Sequence, residues 1–422
     1  MRRAKVFVNS ALAGVLTEDD MGYEFCYDSD YLKSNNAVAL SLTLPLTDRP
    51  YRCKVLFPFF DGLIPERWML DVTEQNRKIS ARDRFSLLLS CCKDCIGNVS
   101  IIPDEEEEKA EAMNKCLYCY KPLMDGETDY HKGCARKIFE STVVPELPYT
   151  SNNIKGLTKE MVTMGSTTVK DIQAKLSLDI TRGTKGEPQR FIIVELWGRF
   201  VLKPQAEYVA NLPENEDLVM HLAEAAGIKT IPHSLIRLED GELCYITRRI
   251  DLTKKGGKIA MENMGQLTGP TEKGSCEQIV SLIRQYSSAP LLDVVNFWEI
   301  VVFSWLTGNT NVNLKNFSLY KPSANYMLTP AYDLLSTSIV RSDDKELGLT
   351  LNGKKKKIRR EDFEKAMLDS GMDEKAVANL FKKFSKALSK WTELIKESFL
   401  PIKQQEQLQT LIYRMASRLR II

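Results

Sequence analysis

Gly308-Asn309-Thr310-Asn311-Val312-Asn313-Leu314-Lys315-Asn316-Phe317-Ser318, followed shortly by Thr329-Pro330-Ala331-Tyr332-Asp333-Leu334-Leu335-Ser336, is the stretch on which the reading of this chain turns. An asparagine-rich loop is ordinarily a turn, because asparagine side chains bond nearby backbone and tolerate left-handed conformations. Immediately before it, Leu292 to Leu306 is apolar almost all round, with Phe297, Trp298, Ile300, Phe303 and Trp305, which predicts a buried central helix rather than a surface one. Ile279, Leu282 and Ile283 predict another helix upstream, and Phe363–Leu368, Ala376–Trp391 and Gln404–Arg418 carry helical periodicity to the end of the chain.

Upstream of the loop, Phe200-Val201-Leu202-Lys203 places a lysine at the end of an apolar strand. A helix is predicted after Leu212-Pro213: the proline and the acids Glu214, Glu216 and Asp217 suit a first turn, Leu218, Leu222 and Ala225 form an apolar stripe, and Gly227 ends it. The first hundred residues read as short strands, Lys5–Asn9, Gly22–Tyr27 and Ala37–Leu42, with helical spacing from Ile64 to Leu70 and from Arg82 to Leu89. The acidic run Asp104–Glu108 cannot pack against itself and predicts a solvated linker. These shifts divide the chain into a sheet-rich unit over 1–102, a linker over 103–112, a cysteine-bearing module over 113–144, a mixed unit over 145–250 and a helical one over 251–422. The fold class is α+β.

The 422 residues are 43% hydrophobic, enough for a substantial core and for two or three units. Lys plus Arg (58) nearly balance Asp plus Glu (56), so no global field favours nucleic acid, a membrane surface or an acidic partner. No apolar run reaches membrane-spanning length, and a cytoplasmic location is the expectation.

Ten cysteines in a chain this long do not suggest a disulfide scaffold. Cys116-Leu117-Tyr118-Cys119 and His131-Lys132-Gly133-Cys134 instead form two knuckles with four nitrogen or sulfur ligands, a pattern for tetrahedral zinc. The alternative is a set of ordinary buried cysteines with accidental spacing. Four protein ligands leave no open position, so the expected zinc is structural. Cys91, Cys92 and Cys95 lack a partner pair nearby and are expected only to pack.

Phosphoryl transfer asks a protein for positioning and charge: metal ions over the phosphates, a cation, and a group that accepts the hydroxyl proton. In the kinase catalytic loop, H-R-D-x-x-x-x-N, a proton-accepting Asp precedes a metal-binding Asn, and a second metal-binding Asp follows. Asn311, Asn316 and Asp333 fall on that spacing. Lys203 stands where the phosphate-pairing lysine would, with Glu214 or Glu216 to orient it.

The phrases Phe200-Val201-Leu202-Lys203-Pro204, Leu212-Pro213-Glu214-Asn215-Glu216, Leu222-Ala223-Glu224-Ala225-Ala226-Gly227-Ile228, Tyr245-Ile246-Thr247-Arg248-Arg249-Ile250-Asp251, Lys315-Asn316-Phe317-Ser318-Leu319 and Pro330-Ala331-Tyr332-Asp333-Leu334-Leu335 resemble the HipA family of serine/threonine kinase toxins. Gly14-Val15-Leu16, Leu42-Thr43-Leu44-Pro45-Leu46 and Phe59 to Arg67 resemble that family's small first subdomain. The resemblance implies a two-lobed kinase-like domain in which Lys203, oriented by Glu216, binds ATP phosphates. Thr247, Arg248 and Ile250 would form the adenine hinge, and Asn316 with Asp333 would hold magnesium. Thr168 to Lys175, including Asp171, corresponds to the phosphate loop. The resemblance also implies a separate helix-turn-helix antitoxin of HipB type, DNA reached only through it, and a protein substrate among translation components.

Three departures qualify that picture. Where the family shows Gly-Asn-x-Asp-x-His-x-Lys-Asn, this chain has Asn311 and Asn313. Asparagine keeps the shape of aspartate but cannot accept a proton, and general-base catalysis is worth about two to four orders of magnitude. Asp171 replaces a phosphate-loop glycine, setting a carboxylate where phosphate should approach. Changes in separate elements fit a natural pseudokinase better than a single inactivating substitution. The lysine run Lys354–Lys357, after the turn at Gly353, reads as a solvated hairpin arm or as a phosphate contact.

Overall fold

A computed structural model of the chain describes residues 2–9, 11–19, 21–34, 36–64, 83–92, 98–103, 114–163, 173–181, 188–194, 198–206, 209–253, 256–268, 274–341 and 345–422. It divides into two compact units, Met1–Met113 and Asn114–Ile422, in a mixed α/β architecture.

The first unit is built on an antiparallel sheet of order β4-β3-β2-β1-β5, with β1 Arg2–Val8, β2 Ala11–Asp19, β3 Gly22–Tyr27, β4 Tyr51–Cys53 and β5 Val99–Pro103. Alternation sets its inner face: Ala4, Val6 and Val8 are buried, joined by Leu16 from β2 and Phe25 from β3. Gly14 lies opposite Tyr27, where a Cβ would run into the Cys26 carbonyl and the Phe25 ring. Asp83 caps the Arg84–Cys91 helix by accepting from the Ser86 N–H at 3.0 Å, and its carboxylate also pairs with Arg2 at 3.0 Å.

The expected strand Ala37–Leu42 is not one. Tyr27, from the neighbouring strand, takes the place of a ladder partner: its hydroxyl accepts from the Leu40 N–H at 2.7 Å and donates to the Leu44 carbonyl. The segment is held as an irregular loop with Leu40 and Leu44 inside. The helical spacing from Arg82 to Leu89 corresponds to the Arg84–Cys91 helix, and Cys92 is buried as packing. Pro65 to Leu70 and Cys95 lie outside the described residues.

The second unit pairs a sheet of order β7-β6-β8-β10-β9 with a large helical region. Its strands are β6 Leu176–Ile180, β7 Phe191–Ile193, β8 Phe200–Lys203, β9 His233–Arg237 and β10 Leu243–Arg248. The helix Leu212–Ala225 crosses after β8, opens on Pro213 and stops at Gly227, whose φ of 76° lets the chain reverse. The Pro290–Leu306 helix is the interior of this unit, with Phe297, Trp298, Phe303, Trp305 and Leu306 all fully buried. Trp391, from the Glu374–Glu397 helix, packs edge-on to Phe303 and donates its indole N–H to the Leu222 carbonyl at 2.7 Å. One side chain thereby ties the long helix to both the central and the crossing helix.

The cysteine-bearing segment is built into this unit. Tyr130 donates to the Leu235 carbonyl, Ser234 donates to the Leu117 carbonyl at 3.1 Å, and Arg237 pairs with Asp129 at 3.0 Å. The turn at Asn352-Gly353 has both residues at positive φ, 47° and 75°, as a tight hairpin requires. Beyond it Lys354 pairs with Asp362 at 2.6 Å and Lys355 donates to the Gly348 carbonyl at 2.7 Å, so part of the basic run is spent inside the fold. No helix among the described residues is long and apolar enough to cross a membrane.

Trp391→Ala should lower the stability of the larger unit by about 3–5 kcal/mol, because a large aromatic leaves a cavity. Trp391→Phe should cost only about 0.5–1.5 kcal/mol beyond its packing change, since the Leu222 carbonyl keeps the Ala226 N–H. Urea unfolding of the full chain, followed by tryptophan fluorescence and by far-ultraviolet circular dichroism, measures both.

Candidate functional site

Lys203 ends β8 opposite Tyr245 of β10 and is almost fully buried. Its Nζ pairs with Glu216 Oε1 at 2.5 Å and with Asp333, and lies 5.2 Å from the centre of the Tyr245 ring. Burial alone would lower the Lys203 pKa, but the two carboxylates outweigh it and hold the ammonium charged. Burial likewise pushes Glu216 up against the pull of Lys203. Asp333 goes the other way: Lys203 and Lys175 overcome its desolvation and hold it well below the ordinary carboxylate range.

Asp333 adopts a left-handed backbone, φ 56°, which costs a non-glycine residue about 1–2 kcal/mol. The compensation is local. Lys175 Nζ reaches Asp333 Oδ2 at 3.1 Å, and Asn215 clamps the chain just beyond, donating to the Ser336 carbonyl at 2.9 Å and accepting from the Ser336 N–H at 2.8 Å. Strain held in this way marks a position that the surroundings over-determine.

The asparagine-rich loop satisfies itself. Gly308 turns the chain at φ 69°, and its carbonyl accepts from Thr337 and Ser338 at 3.0 Å each. Asn313 and Asn316 form a reciprocal cap: Asn313 Oδ1 accepts from the Lys315 N–H and Asn316 Oδ1 from the Asn313 N–H, both at 2.9 Å. Asn313 also donates its amide to the Asn311 carbonyl at 2.9 Å, and Asn311 is exposed. The Tyr332 hydroxyl, next to Asp333, donates to the Lys315 carbonyl at 3.0 Å and so ties the loop to the Asp333 segment.

Lys203, Glu216, Lys175 and Asp333 therefore meet in one cluster, and the loop that carries Asn316 is tied to the Asp333 segment by the Tyr332 bond to the Lys315 carbonyl. Thr168 and Asp171 lie outside the described residues. At the expected hinge, Thr247 Oγ1 donates to the Pro232 carbonyl at 2.9 Å and Arg248 pairs with Glu140 at 3.0 Å, while Ile250 packs on the main core. These contacts hold the end of β10, and the adenine role rests on the resemblance.

Cys116, Cys119, His131 and Cys134 converge, with their candidate ligand atoms all within 4.8 Å of one another. His131 Nδ1 lies 3.4 Å from Cys119 Sγ and 3.8 Å from Cys134 Sγ, while Nε2 sits 3.0 Å from the Pro122 carbonyl. That carbonyl fixes the proton on Nε2 and leaves Nδ1 facing the sulfurs, the arrangement a metal-ligating imidazole needs. The Cys119 sulfur, with backbone N–H groups, pulls the Cys116 thiol below its ordinary value against its burial.

Sequence reasoning missed Asn215, read only as part of a motif, and a second buried polar cluster. Asp217, His221 and His233 gather around Tyr120, whose hydroxyl donates to Asp217 Oδ2 at 2.6 Å. The one signal available was Asp217 and His221 four residues apart on one helix face.

Comparison with known proteins identifies the family. Residues 170–391 match the HipA-like C-terminal domain and residues 4–102 match the HipA N-terminal domain; the chain belongs to the HipA family of kinase-like toxins. Y4mE, a supposed kinase of Sinorhizobium fredii, is 27% identical over 351 residues, spanning 80% of this chain and 78% of that protein. An uncharacterized Haemophilus influenzae protein is 34% identical over 109 residues, 26% of this chain and 95% of its own length. A chain of the Shewanella oneidensis HipA, HipB and operator DNA complex aligns over 99% of this chain and 96% of its own, at 17% identity and a TM-score of 0.48.

Lys203→Met should destabilise the larger unit by about 3–5 kcal/mol, because it leaves carboxylates buried without their cation. Adding Glu216→Leu should recover part of that loss, and denaturant titration of both variants checks it. A second expectation concerns Glu214, whose carboxyl burial pushes up to about 7 despite hydrogen bonds from Gln205. Its folded pKa lies above its unfolded value, so the stability it contributes is complete below about pH 4.5 and is lost as pH rises through 7. Glu214→Gln should flatten the fall in stability over that window in thermal melts taken at successive pH values.

Proposed function

We propose that this chain is a HipA-like serine/threonine protein kinase of a toxin–antitoxin system, with phosphoryl transfer strongly impaired because Asn311 stands where the family keeps its catalytic aspartate. The observation that carries the reading is the buried Lys203 held between Glu216 and Asp333. Three charges in so confined a space are costly to bury, and they match the lysine, its orienting acid and the metal-binding acid that phosphoryl transfer requires. The two-lobed division near residue 250 belongs to the same reading.

The residues present fit a magnesium nucleotide. Lys203 would pair with ATP phosphates, and Asn316 and Asp333 offer the amide and carboxylate oxygens that magnesium prefers. Bound MgATP would supply the phosphoryl group and neutralise the charge developing on it. Lys175 and Lys203 already neutralise Asp333 and could turn their ammoniums to phosphate oxygens. Asn311 can hold a substrate hydroxyl by a hydrogen bond but cannot take its proton. Cys116, Cys119, His131 and Cys134 would hold a structural zinc that stabilises the segment from 113 to 144. A HipB-type antitoxin is the partner that family membership implies, with DNA contacted through it.

The reciprocal cap between Asn313 and Asn316 favours a second reading, a natural pseudokinase that acts as a binding or regulatory protein. Both side chains are spent on local backbone rather than presented to a nucleotide.

Calorimetric titration with MgATP and incorporation of labelled phosphate separate the two. On the first reading the native chain binds MgATP with weak transfer, and Asn311→Asp, alone or with Asn313→His, raises transfer by about a hundred- to ten-thousand-fold. A double variant that neither binds MgATP nor incorporates phosphate would sink the kinase reading and leave the second.

A further inference from the structure

The helix that carries Glu216 also carries two buried ionisable groups for which the kinase reading has no use. Asp217 is fully buried and His221 is 8% exposed, one turn apart on one face. His233, 1% exposed, opens β9 opposite them. One carboxylate oxygen and one nitrogen from each imidazole lie within 4.8 Å of one another. Asp217 Oδ1 is 2.8 Å from His233 Nδ1, and Asp217 Oδ2 is 3.6 Å from His221 Nε2. The first is a hydrogen bond that orients the His233 ring and leaves its Nε2 to ligate, and the second is near the roughly 3.3 Å that separates two ligands of a tetrahedral ion with bonds of about 2.0–2.1 Å.

The second observation is a deficit. His221 Nε2 and His233 Nε2 are buried, and neither has a hydrogen-bond partner. A buried polar atom left in this state costs about 1–3 kcal/mol, and native proteins rarely carry two in one cluster without a reason. Glu224 lies across both rings, with Oε2 3.3 Å from His221 Nδ1 and Oε1 3.6 Å from His233 Nε2, and its side chain is 38% exposed. It supplies a further carboxylate and a path to solvent. The outer contacts are in place too: Tyr120 donates to Asp217 Oδ2, and Thr230 donates to Glu224 Oε1 at 2.7 Å, fixing both carboxylates as second-layer partners fix metal ligands. Carboxylate oxygens of Asp217 and Glu224 and imidazole nitrogens of His221 and His233 thus face one another within the pocket, with the exposed edge of Glu224 as its opening.

We propose that Asp217, His221 and His233, with Glu224 at the open side, form a second divalent-cation site, suited by two imidazoles and carboxylate oxygens to zinc or a neighbouring borderline ion. It contains no sulfur and is separate from the Cys116–Cys134 cluster. Because Asp217 follows Glu216 directly, an ion here joins the crossing helix to β9 and steadies Glu216 against Lys203.

Titration of the metal-stripped full chain with cobalt(II), read optically and by elemental analysis, tests the proposal. The expected result is one equivalent that shows weak ligand-field bands without thiolate charge transfer, whatever the cysteine cluster does with its own ion. His221→Gln and His233→Gln should each abolish that equivalent and spare any thiolate-to-cobalt band, and zinc should displace the cobalt. The proposal is overturned if every bound equivalent carries thiolate bands, or if the sulfur-free equivalent survives both substitutions. If the substitutions prevent folding, the native chain decides alone: a zinc-displaceable sulfur-free equivalent that survives excess magnesium supports the site, and its absence overturns it.

Discussion

A buried ammonium keeps its charge only if carboxylates are brought to it, and Lys203 draws those carboxylates from two distant parts of the chain. Glu216 comes from the crossing helix and Asp333 from beyond the asparagine-rich loop, more than a hundred residues on. The strand, the helix and the loop must therefore occupy fixed places before any of the three charges can be buried at tolerable cost. The features around them serve that end. Asn215 grips the Ser336 backbone from the same helix, Trp391 bonds the Leu222 carbonyl further along it, and the left-handed turn at Asp333 aims the carboxylate inward. Removing the ammonium would leave a helix and a loop that repel each other.

The cysteine-bearing segment bears on the same helix, one residue further along. Tyr120 follows Cys119 directly, and its hydroxyl reaches Asp217, the residue after Glu216. Tyr130, Asp129 and Leu117 attach the segment to β9 at Leu235, Arg237 and Ser234. A small element that could not bury a core of its own thus gains stability by docking on the sheet, and in return its tyrosine fixes the orientation of a buried carboxylate.

Much of the site was legible because its chemistry is local in sequence. Lys203 ended an apolar strand, Glu216 lay in an acid-rich helix start, and Asn316 and Asp333 fell on a recognisable spacing; the four zinc-pattern residues likewise came as two short knuckles. What was not legible depended on pairings across the fold. Ala37–Leu42 has the alternation of a strand, but the Tyr27 hydroxyl satisfies Leu40 and Leu44, and no local signal distinguishes that from a ladder. His233 gives no sign in sequence that it will face Asp217 and His221, because a helix end and a turn separate them. Asn215 stood only as part of a motif, and the return of the chain at Ser336 reveals what its amide holds.

The asparagine-rich loop keeps its shape without calling on the side chain at position 311. A proton acceptor contributes to the transition state but little to the fold, and Asn311 is exposed, with its carbonyl already bonded by Asn313. Exchanging oxygen for an amide nitrogen there leaves the loop intact. Asn313 is different, since its side chain caps the turn that presents Asn316. The capping demand is met by asparagine better than by most residues, which suits this one to holding the loop. Lys203, Glu216 and Asp333 have no such latitude: Lys203 and Glu216 are buried, Asp333 is partly so, and each offsets the charge of its partner. The cluster is thus constrained by the fold itself, whereas the exposed side chain at 311 is not.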